Sequence, residues 1–538
     1  MLAIVSDSQF PSLARSTAIM SVGTVISRVT GVVRLAVIAA ALGIVETRLQ
    51  DTYNLANTAP NILYELVLGG VISSVFVPVF VELLEKEDRD RAWEVFSGII
   101  NVSLLILSAV TVIGVVAAPW IADFYADRLA GGDAEAQARV LVFLLRLFIP
   151  QVILYGLYFV LAGLLNAHKR FGAPMYTPIL NNFVVIAAFL AFHAIYGEVT
   201  LASVTTEQLW LIGLATTLSV APMGLLLIPL VRKMGKYHLT LSLDHPAVRK
   251  LGRLAIYVVG FVAATQVGYV IIQWLANATQ GGYSAYVSAS TFFLLPMGLF
   301  VWSMTTALVP TLSQHAVNER WTDFRATLTL GMRSLMFLML PAAAGYFILA
   351  RPIVRVLLEH GVVTESSTLL VAELLQVMVL GLVQAALYQM MVRSFYAMQD
   401  TKTLFWINLA MVALNIGLNF PLYGAMGVSG LALGQVIATT IAVAIQLKIM
   451  SGRIGGLEVG SLAQGFGRAA VATAGMGLVV WAMTAFIAGP DDDPSTTIAA
   501  LEVTAAVIVG GALYLLLARA LGVKEVAYLR SIVARRKT

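Results

Sequence analysis

The stretch IMSVGTVISRVTGVVRLAVIAAALG, residues 19–43, decides the class of fold because it can cross a bilayer as a single helix. A transmembrane helix needs about 20 mostly apolar residues, and this run of 25 contains no acid. It nevertheless carries Arg28 and Arg34. An arginine at the centre of a membrane helix costs about 2.5–3.5 kcal/mol on insertion scales. The two arginines therefore require a structural or functional reason.

The composition of the whole chain agrees with this stretch. Of 538 residues, 59% are hydrophobic and only 12% are charged, and the mean hydropathy is +0.87. Soluble domains carry about 25% charged residues, so the chain is predicted to be an all-α polytopic membrane protein. Cysteine is absent and the six histidines show no metal-ligand spacing, so we predict no metal site and no cofactor.

Apolar runs separated by polar or Gly/Pro breaks predict about fourteen transmembrane helices. The predicted spans are 17–43, 52–81, 95–122, 138–165, 175–197, 208–231, 254–278, 284–312, 327–350, 368–398, 403–423, 427–450, 469–488 and 497–521. With a cytoplasmic N-terminus, 24 of the 34 lysines and arginines fall on the cytoplasmic side and five on the other. This bias predicts that both termini are cytoplasmic. The net charge of +5 thus reflects topology, and no nucleic-acid partner is expected.

An internal repeat organises these spans. FVPVFVELLEKEDRDRAWEVF (76–96) resembles LVPTLSQHAVNERWTDFRATL (308–328), and two later pairs of blocks follow at offsets of 233 and 230 residues. Parallel repeats of this kind predict two pseudo-symmetric six-helix lobes, with a substrate site between them near the midplane. We assign residues 1–236 and 237–455 to the lobes, and 456–538 to two additional helices and a basic cytoplasmic tail.

Polar residues of the second span form one stripe. Spacings of 3, 3, 4 and 4 place them within an arc of about 120° on a helix. The stripe consists of Asp51, Asn54, Asn57, Asn61 and Glu65. Such a stripe faces protein or water, and never lipid tails. With Arg28 and Arg34 it suggests a wet cavity that attracts anions. The alternative is a purely structural seam of hydrogen bonds and ion pairs, with Glu65 as a counter-ion of Arg28.

Three further polar residues within spans are weaker candidates for substrate binding: Arg146, Gln266 and Thr291. A single polar residue in a membrane helix more often joins two helices than contacts a ligand. The chain contains no P-loop, nucleotide-binding motif or catalytic triad, which predicts a transporter rather than an enzyme. Transport must then draw on a gradient or on the membrane potential.

Several segments resemble the MurJ (MviN) lipid II flippases of the MOP exporter superfamily. They are SRVTGVVRLAVIAAALG (27–43), DTYNLANTAPNIL (51–63), SSVFVPVF (73–80), LLNAHKRFGAPMYTPILNN (164–182), LLEHGVVT (357–364) and FYAMQDTKT (395–403). The resemblance implies fourteen helices, two pseudo-symmetric lobes and alternating access. It also implies transport of the undecaprenyl-diphosphate-linked peptidoglycan precursor to the outer leaflet of the bacterial cytoplasmic membrane, with cell-wall synthesis proteins as possible partners.

The resemblance also carries over to individual residues. Arg28 and Arg34 match two first-helix arginines of the family, and Asp51 matches its acid at the start of the second helix. Where the family has two further arginines, this chain has Tyr64 or Glu65 and a position near Thr291. The family's sodium site uses aspartates in spans 7 and 11, which contain no acid here, so a sodium site is not supported. The resemblance further implies that spans 13 and 14 form a groove for the polyprenyl tail.

Three other functions remain open from the residues alone. A flippase for another polyprenyl-diphosphate glycan would need nearly the same cavity. An ion-coupled multidrug exporter would need a cavity dominated by acids and aromatics, which Arg28 and Arg34 argue against. A scaffold without transport would need no exchange between inward and outward states. The coupling ion is undetermined, with the membrane potential or protons as candidates.

Overall fold

The computed structural model describes residues 10–66, 89–129, 132–168, 170, 172–241, 246–488, 495–523 and 525. This part of the chain is helical throughout, with short connections and no strand. The helices of the first half are α1 Phe10–Leu42, α2 Leu49–Tyr64, α3 Arg89–Ala126, α4 Gly132–Phe148, α5 Gln151–Ala167, α6 Gly172–Tyr196, α7 Thr206–Leu225 and α8 Ile228–Arg232. Those of the second half are α9 Pro246–Asn277, α10 Gly282–Pro296, α11 Trp302–Val317, α12 Trp321–Leu358, α13 Glu365–Val379, α14 Leu382–Ala397, α15 Thr401–Met426, α16 Val428–Arg453, α17 Val459–Ala488 and α18 Thr496–Ala520.

The prediction of an all-α polytopic membrane protein is confirmed. Twelve spans in the described part are long and apolar enough to cross a membrane. The pair α13 and α14, inclined at 51°, makes a thirteenth. The second predicted span, 52–81, is described only to residue 66, and its remainder lies outside the described residues, as does the motif 73–80. Every other predicted span has its counterpart among these helices.

The same succession of helices occurs twice along the chain. Helices α3 and α12 both have 38 residues and begin at positions 89 and 321. Helices α4 and α13 begin at 132 and 365, and α5 and α14 begin at 151 and 382. Even the break between α4 and α5 has its equivalent between α13 and α14. The repeat inferred from sequence blocks is therefore a repeat of helices.

By contacts, the chain divides into two compact units. The first comprises 1–284 with 360–362, and the second comprises 285–359 with 363–538. Helix α9 thus belongs to the first unit, although the sequence assigned it to the second lobe. Hydrogen bonds at its C-terminal end explain this, since Asn277 bonds to the backbone of Tyr125 and to Gln137. The three-part division at 236 and 455 stays a prediction.

Each unit has its own apolar core. In the first, a cluster formed by α3, α5 and α7 surrounds Phe96 and Leu164, and α1 packs mainly along α6. In the second, one cluster joins α11, α12, α14 and α16, and a separate one joins α12 to α17 and α18. Large apolar side chains also cover the outside, including Trp120 at 68% exposure and Phe486 at 88%. Such a surface suits contact with lipid tails.

Candidate functional site

Helix α1 carries the two arginines of the candidate site, Arg28 and Arg34. Both are half-buried and six residues apart, which corresponds to about 9 Å of rise and about 120° around the helix. The Arg34 guanidinium donates a hydrogen bond from Nη1 to Oδ1 of Asn181 on α6, at 2.8 Å. Arg34 is therefore held in place by a neutral amide. Within the described chain, no ion pair involves Arg34.

A chain of hydrogen bonds fixes the orientation of Asn181. Its Nδ2 donates to the Ser219 hydroxyl on α7 at 2.8 Å, which leaves Oδ1 for Arg34. Ser219 in turn donates to the carbonyl of Thr216, whose hydroxyl lies 3.0 Å from that of Tyr53 on α2. Three helices of the first unit, α2, α6 and α7, thus support one guanidinium on α1. A group that is held by several neighbours is preorganised for binding.

Asn182 performs a related task for the backbone of α1. Its Nδ2 lies 2.9 Å from the hydroxyl of Thr30 and 3.4 Å from the carbonyl of Ser27, the residue before Arg28. Close packing supports the same contact, because a Cβ on Gly23 would lie 3.4 Å from Met175 of α6. The pair Asn181–Asn182 therefore sets the register of the arginine-bearing helix.

The α2 stripe begins with a buried carboxylate. Asp51 is fully buried, and its two oxygens accept the backbone N–H groups of Gly281 and Ser284, each at 2.8 Å. Asn54, 9% exposed, donates to the Ser284 hydroxyl at 3.1 Å. These contacts satisfy free N–H groups at the start of α10, and a carboxylate is favoured there by the helix dipole. Asp51 and Asn54 thus hold α2 to the segment 281–284, which belongs to the first unit.

Gly281 is the residue that makes this junction possible. Its φ of +73° is readily adopted only by glycine, and a Cβ there would lie 2.6 Å from the carbonyl oxygen of Ile44. Buried amides nearby close the same end of the bundle. Gln273 accepts from Tyr125 at 2.5 Å and donates to Tyr283 at 3.1 Å. Gln273 and the two tyrosines thus bond to one another in a buried polar cluster at this end of the first unit.

The remainder of the stripe is more accessible. Asn57, Asn61 and Glu65 are all half-buried. Asn61 donates to the carbonyl of Asn57 one turn earlier, at 3.2 Å, and Glu65 accepts from Tyr64 at 3.2 Å. The Tyr64 ring stacks on Phe159 with centroids 4.9 Å apart, which gives this part of α2 an aromatic support. These three side chains are the part of the stripe that can still contact a ligand.

The weaker candidates lie apart from this group. Thr291 is half-buried and donates to the carbonyl of Val287 in its own helix. Gln266 is half-buried on α9, and Arg146 is exposed on α4. The part of the chain that is described contains no group of three or more metal-ligating side chains. We therefore do not assign Thr291, Gln266 or Arg146 to the site formed by α1, α2 and α6.

Sequence reasoning missed Asn181, Asn182 and Ser219. The amides were visible in the segment PILNN (178–182), where two adjacent asparagines interrupt an apolar span. A polar pair inside a span is a usable signal. Its partner helix, however, cannot be read from the sequence.

An apolar groove lies in the second unit along α12, α17 and α18. Its volume is about 410 Å³, and its lining includes Phe292, Tyr346, Met476 and Val503. Its walls are almost entirely hydrocarbon, so it is suited to an aliphatic chain.

Comparison with known families gives a consistent result. The family model described as lipid II flippase MurJ matches residues 38–490. Probable lipid II flippases MurJ from Rhizobium meliloti and Vibrio cholerae are 27% and 28% identical, over 79% and 80% of this chain and 78% and 82% of theirs. The lipid II flippase MurJ of Burkholderia cenocepacia is 27% identical over 78% of this chain and 80% of its own.

Solved structures share the fold. A lipid II flippase MurJ in an inward closed conformation superposes with a TM-score of 0.74 at 22% identity, covering 96% of this chain and 99% of that one. An inward-facing multidrug resistance MATE family transporter of the MOP superfamily gives 0.65 at 12% identity, covering 80% and 94%. The family match begins after Arg34, so the roles of Arg28 and Arg34 rest on residue pattern and geometry.

Proposed function

This chain belongs to the MurJ lipid II flippase family, and we propose that it carries lipid II from the inner to the outer leaflet of the cytoplasmic membrane by alternating access. Lipid II is the undecaprenyl-diphosphate-linked peptidoglycan precursor. Lipid II has three chemically different parts: a diphosphate, a glycan with its peptide, and a long polyprenyl tail. We assign a different group of the described residues to each part.

The surroundings of Arg34 carry the proposal. A guanidinium whose hydrogen-bond partner is the neutral Asn181 keeps its full positive charge and has further N–H donors available. Its planar donor geometry suits phosphate oxygens, and such charge-assisted bonds are stronger than neutral ones. We assign Arg34 and Arg28 to the diphosphate.

The half-buried part of the α2 stripe is assigned to the rest of the headgroup. Asn57 and Asn61 have amide groups that suit sugar hydroxyls and peptide groups. Glu65 is the acid of this region, and its protonation or neutralisation would favour closure around the substrate. Asp51 and Asn54, which the sequence also suggested as ligands, support this arrangement by holding α2 to the segment 281–284.

The apolar groove along α12, α17 and α18 is assigned to part of the polyprenyl tail. Its 410 Å³ could hold only a segment of so long a chain, and the rest would lie in the bilayer. Burial of each methylene contributes about 0.8 kcal/mol, so a short segment is enough to orient the lipid.

Energy for transport would come from the membrane potential or from protons. The chain has no nucleotide-binding motif, and α9 and α15 contain no acid that could hold sodium. Both termini are proposed to be cytoplasmic, as the distribution of lysine and arginine indicates. A C-terminal fluorescent protein that folds only in the cytoplasm tests this orientation. Cell-wall synthesis proteins that make the precursor are the proposed neighbours.

The test of the substrate is native mass spectrometry of lipid that co-purifies with the full chain. The wild type is expected to retain lipid II, and Arg34→Ala about tenfold less, because a hydrogen bond to a charged group contributes about 1.5–3 kcal/mol. Arg519→Gln, which removes an exposed arginine at the end of α18, is the matched control and should retain lipid as the wild type does.

The outcomes separate the remaining functions. A retained diphosphate lipid with a different glycan would favour the flippase for another polymer, and failure to rescue a strain depleted of its lipid II flippase would agree with it. Undiminished retention by Arg34→Ala would contradict the assignment of Arg34.

A further inference from the structure

A second cationic site lies outside the proposed transport path, in a groove between α4 and α7 that we call the α4–α7 groove. Its volume is about 580 Å³, and it is lined by Ala138, Arg139, Val142, Phe143, Arg146, Leu147 and Trp210. All of these belong to the first unit. The groove combines an apolar lining with two positive charges.

The two arginines share one face of α4. They are seven residues apart, which places them about 20° apart around the helix and about 10.5 Å apart along it. The buried residues of α4, such as Leu141 and Phe148, lie on the opposite face, and both arginines are exposed. Both side chains lean toward the N-terminus of α4, so their stems run parallel and keep a spacing of about 10.5 Å. Arginine side chains are long and flexible, and one phosphate lying between them can accept from both when the two guanidinium groups turn toward it.

Neither arginine has a partner in the described chain. No carboxylate there forms an ion pair with Arg139 or Arg146, although Arg48 on the neighbouring loop pairs with Asp133 at 3.4 Å. A guanidinium on the lipid-facing side of a membrane helix is unfavourable unless an anion or the interface compensates it. The positive charges of Arg139 and Arg146 are therefore available to an anionic ligand from outside the protein.

The groove has a protein floor and an aromatic wall. Helix α4 packs closely on α7: the Leu147 side chain lies against Gly213, where a Cβ would come within 2.5 Å of its Cδ1, and Thr217 donates to the Leu147 carbonyl at 2.8 Å. Phe143 and Trp210 meet edge to face with centroids 5.3 Å apart. Trp210 lies in the second turn of α7, and tryptophan favours the membrane interface where phosphates are found.

We infer that the α4–α7 groove binds an anionic phospholipid, with its phosphate between Arg139 and Arg146 and an acyl chain against Phe143, Leu147 and Trp210. The attraction between the two arginines and a phosphate, together with the apolar lining beside them, favours a whole phospholipid over a free anion. The lipid comes from the leaflet at which α4 begins. This inference does not depend on which lipid the protein transports.

Quenching of Trp210 by brominated lipids tests the site in the full chain. Proteoliposomes contain phosphatidylcholine with a small fraction of phosphatidylglycerol, and either one or the other lipid is brominated. Since the chain has eight tryptophans, the signal of Trp210 is the difference between wild type and Trp210→Phe. We expect brominated phosphatidylglycerol to quench this signal more than its bulk fraction predicts, by about fivefold for each arginine.

Matched variants decide the outcome. Arg139→Gln/Arg146→Gln should lose the preference for phosphatidylglycerol, the double lysine variant should keep most of it, and Arg519→Gln should leave it unchanged. Quenching by each lipid in proportion to its bulk fraction, or none by either, would overturn the inference. So would displacement of the brominated lipid by inorganic phosphate alone, or by lipid II at an equimolar amount, since the groove would then be an anion site or a substrate site.

Discussion

The arginines of α1 and those of α12 lie in membrane helices, yet their partners differ. On α12, Arg355 is 2% exposed and pairs with Glu359 at 3.2 Å, and it lies within electrostatic reach of the buried Glu502 of α18. Arg333 pairs with Glu525 at 2.8 Å and donates to Ser461 of α17. On α1, by contrast, Arg34 is held by an amide.

The difference separates two uses of the same side chain. Arg333 and Arg355 are about 33 Å apart along α12, close to the thickness of a hydrocarbon core of about 30 Å. Their charges are offset by carboxylates: Glu359 at the end of α12 itself, Glu502 of α18, and Glu525 in the segment after α18. The charge of Arg34 is positioned without being cancelled. Carboxylate partners thus indicate a structural arginine, and amide partners indicate one that is available to an anion.

The largest effect is expected for Arg355→Ala. Removing one partner of a buried ion pair leaves the other charge uncompensated, here those of Glu359 and Glu502, and lowers the free energy of unfolding by about 3–5 kcal/mol. Chemical unfolding in detergent measures it. Arg351→Ala is the matched control, because Arg351 and its partner Glu365 are 37% and 45% exposed and such pairs contribute about 1 kcal/mol or less. Equal losses in the two variants would refute a special role for Arg355.

Arg34→Ala should affect transport more than stability. Loss of charge-assisted contacts with a diphosphate is expected to lower lipid II translocation in proteoliposomes about tenfold to a hundredfold. The unfolding transition should shift less than that of Arg355→Ala, because Arg34 is only half-buried and its partner is neutral. Arg34→Lys keeps the charge but loses the planar donor geometry, so an intermediate rate is expected. A loss of stability without a loss of rate would reverse the comparison.

Asn181→Asp tests whether the neutral partner matters. An aspartate at this position would pair with Arg34 in the way that Glu359 pairs with Arg355, and would cancel the charge offered to the substrate. We expect about a tenfold weaker retention of diphosphate lipid, equivalent to ~1.4 kcal/mol, with unchanged or higher stability. Asn181→Ala removes the support but keeps the charge, and should weaken retention less. If both variants behave alike, Asn181 acts only through packing.

The smallest effect is expected for the ion pair between Asp400, the N-cap residue of α15, and Arg453, the last residue of α16. Burial raises the pKa of Asp400, but hydrogen bonds from Thr403 and the Arg453 charge outweigh it, so the pKa lies below its ordinary value. The stabilisation is therefore complete above the ordinary carboxyl pKa and is lost as the pH falls through the lowered one. Asp400→Asn should remove this acid-dependent part, about 1 kcal/mol or less. Comparing the unfolding of both proteins between pH 7 and pH 3 measures it, and identical pH dependence would contradict the assignment.

Most of the transmembrane helices could be predicted because the length of an apolar run is a local property of the sequence. Each span except the second, which is only partly described, has a helical counterpart, although the limits differ by up to about ten residues, as at α17, which begins at 459 rather than 469. The repeat became a repeat of helices. Assignment of α9 to a unit could not be predicted. It depends on hydrogen bonds of Asn277 with Gln137, a residue 140 positions away, and only the folded chain brings these residues together.

The candidate site divides in the same way. The sequence by itself determined that Arg28, Arg34 and the α2 stripe are polar groups inside membrane helices, because their depth follows from their position in an apolar run. Only the tertiary structure decided what each one does. Asp51 and Asn54 are committed to a helix start some 230 residues later, whereas Arg34 meets its amide 147 residues away. A side chain binds a ligand only if the fold leaves its polar atoms free, and that depends on partners that sequence spacing does not reveal.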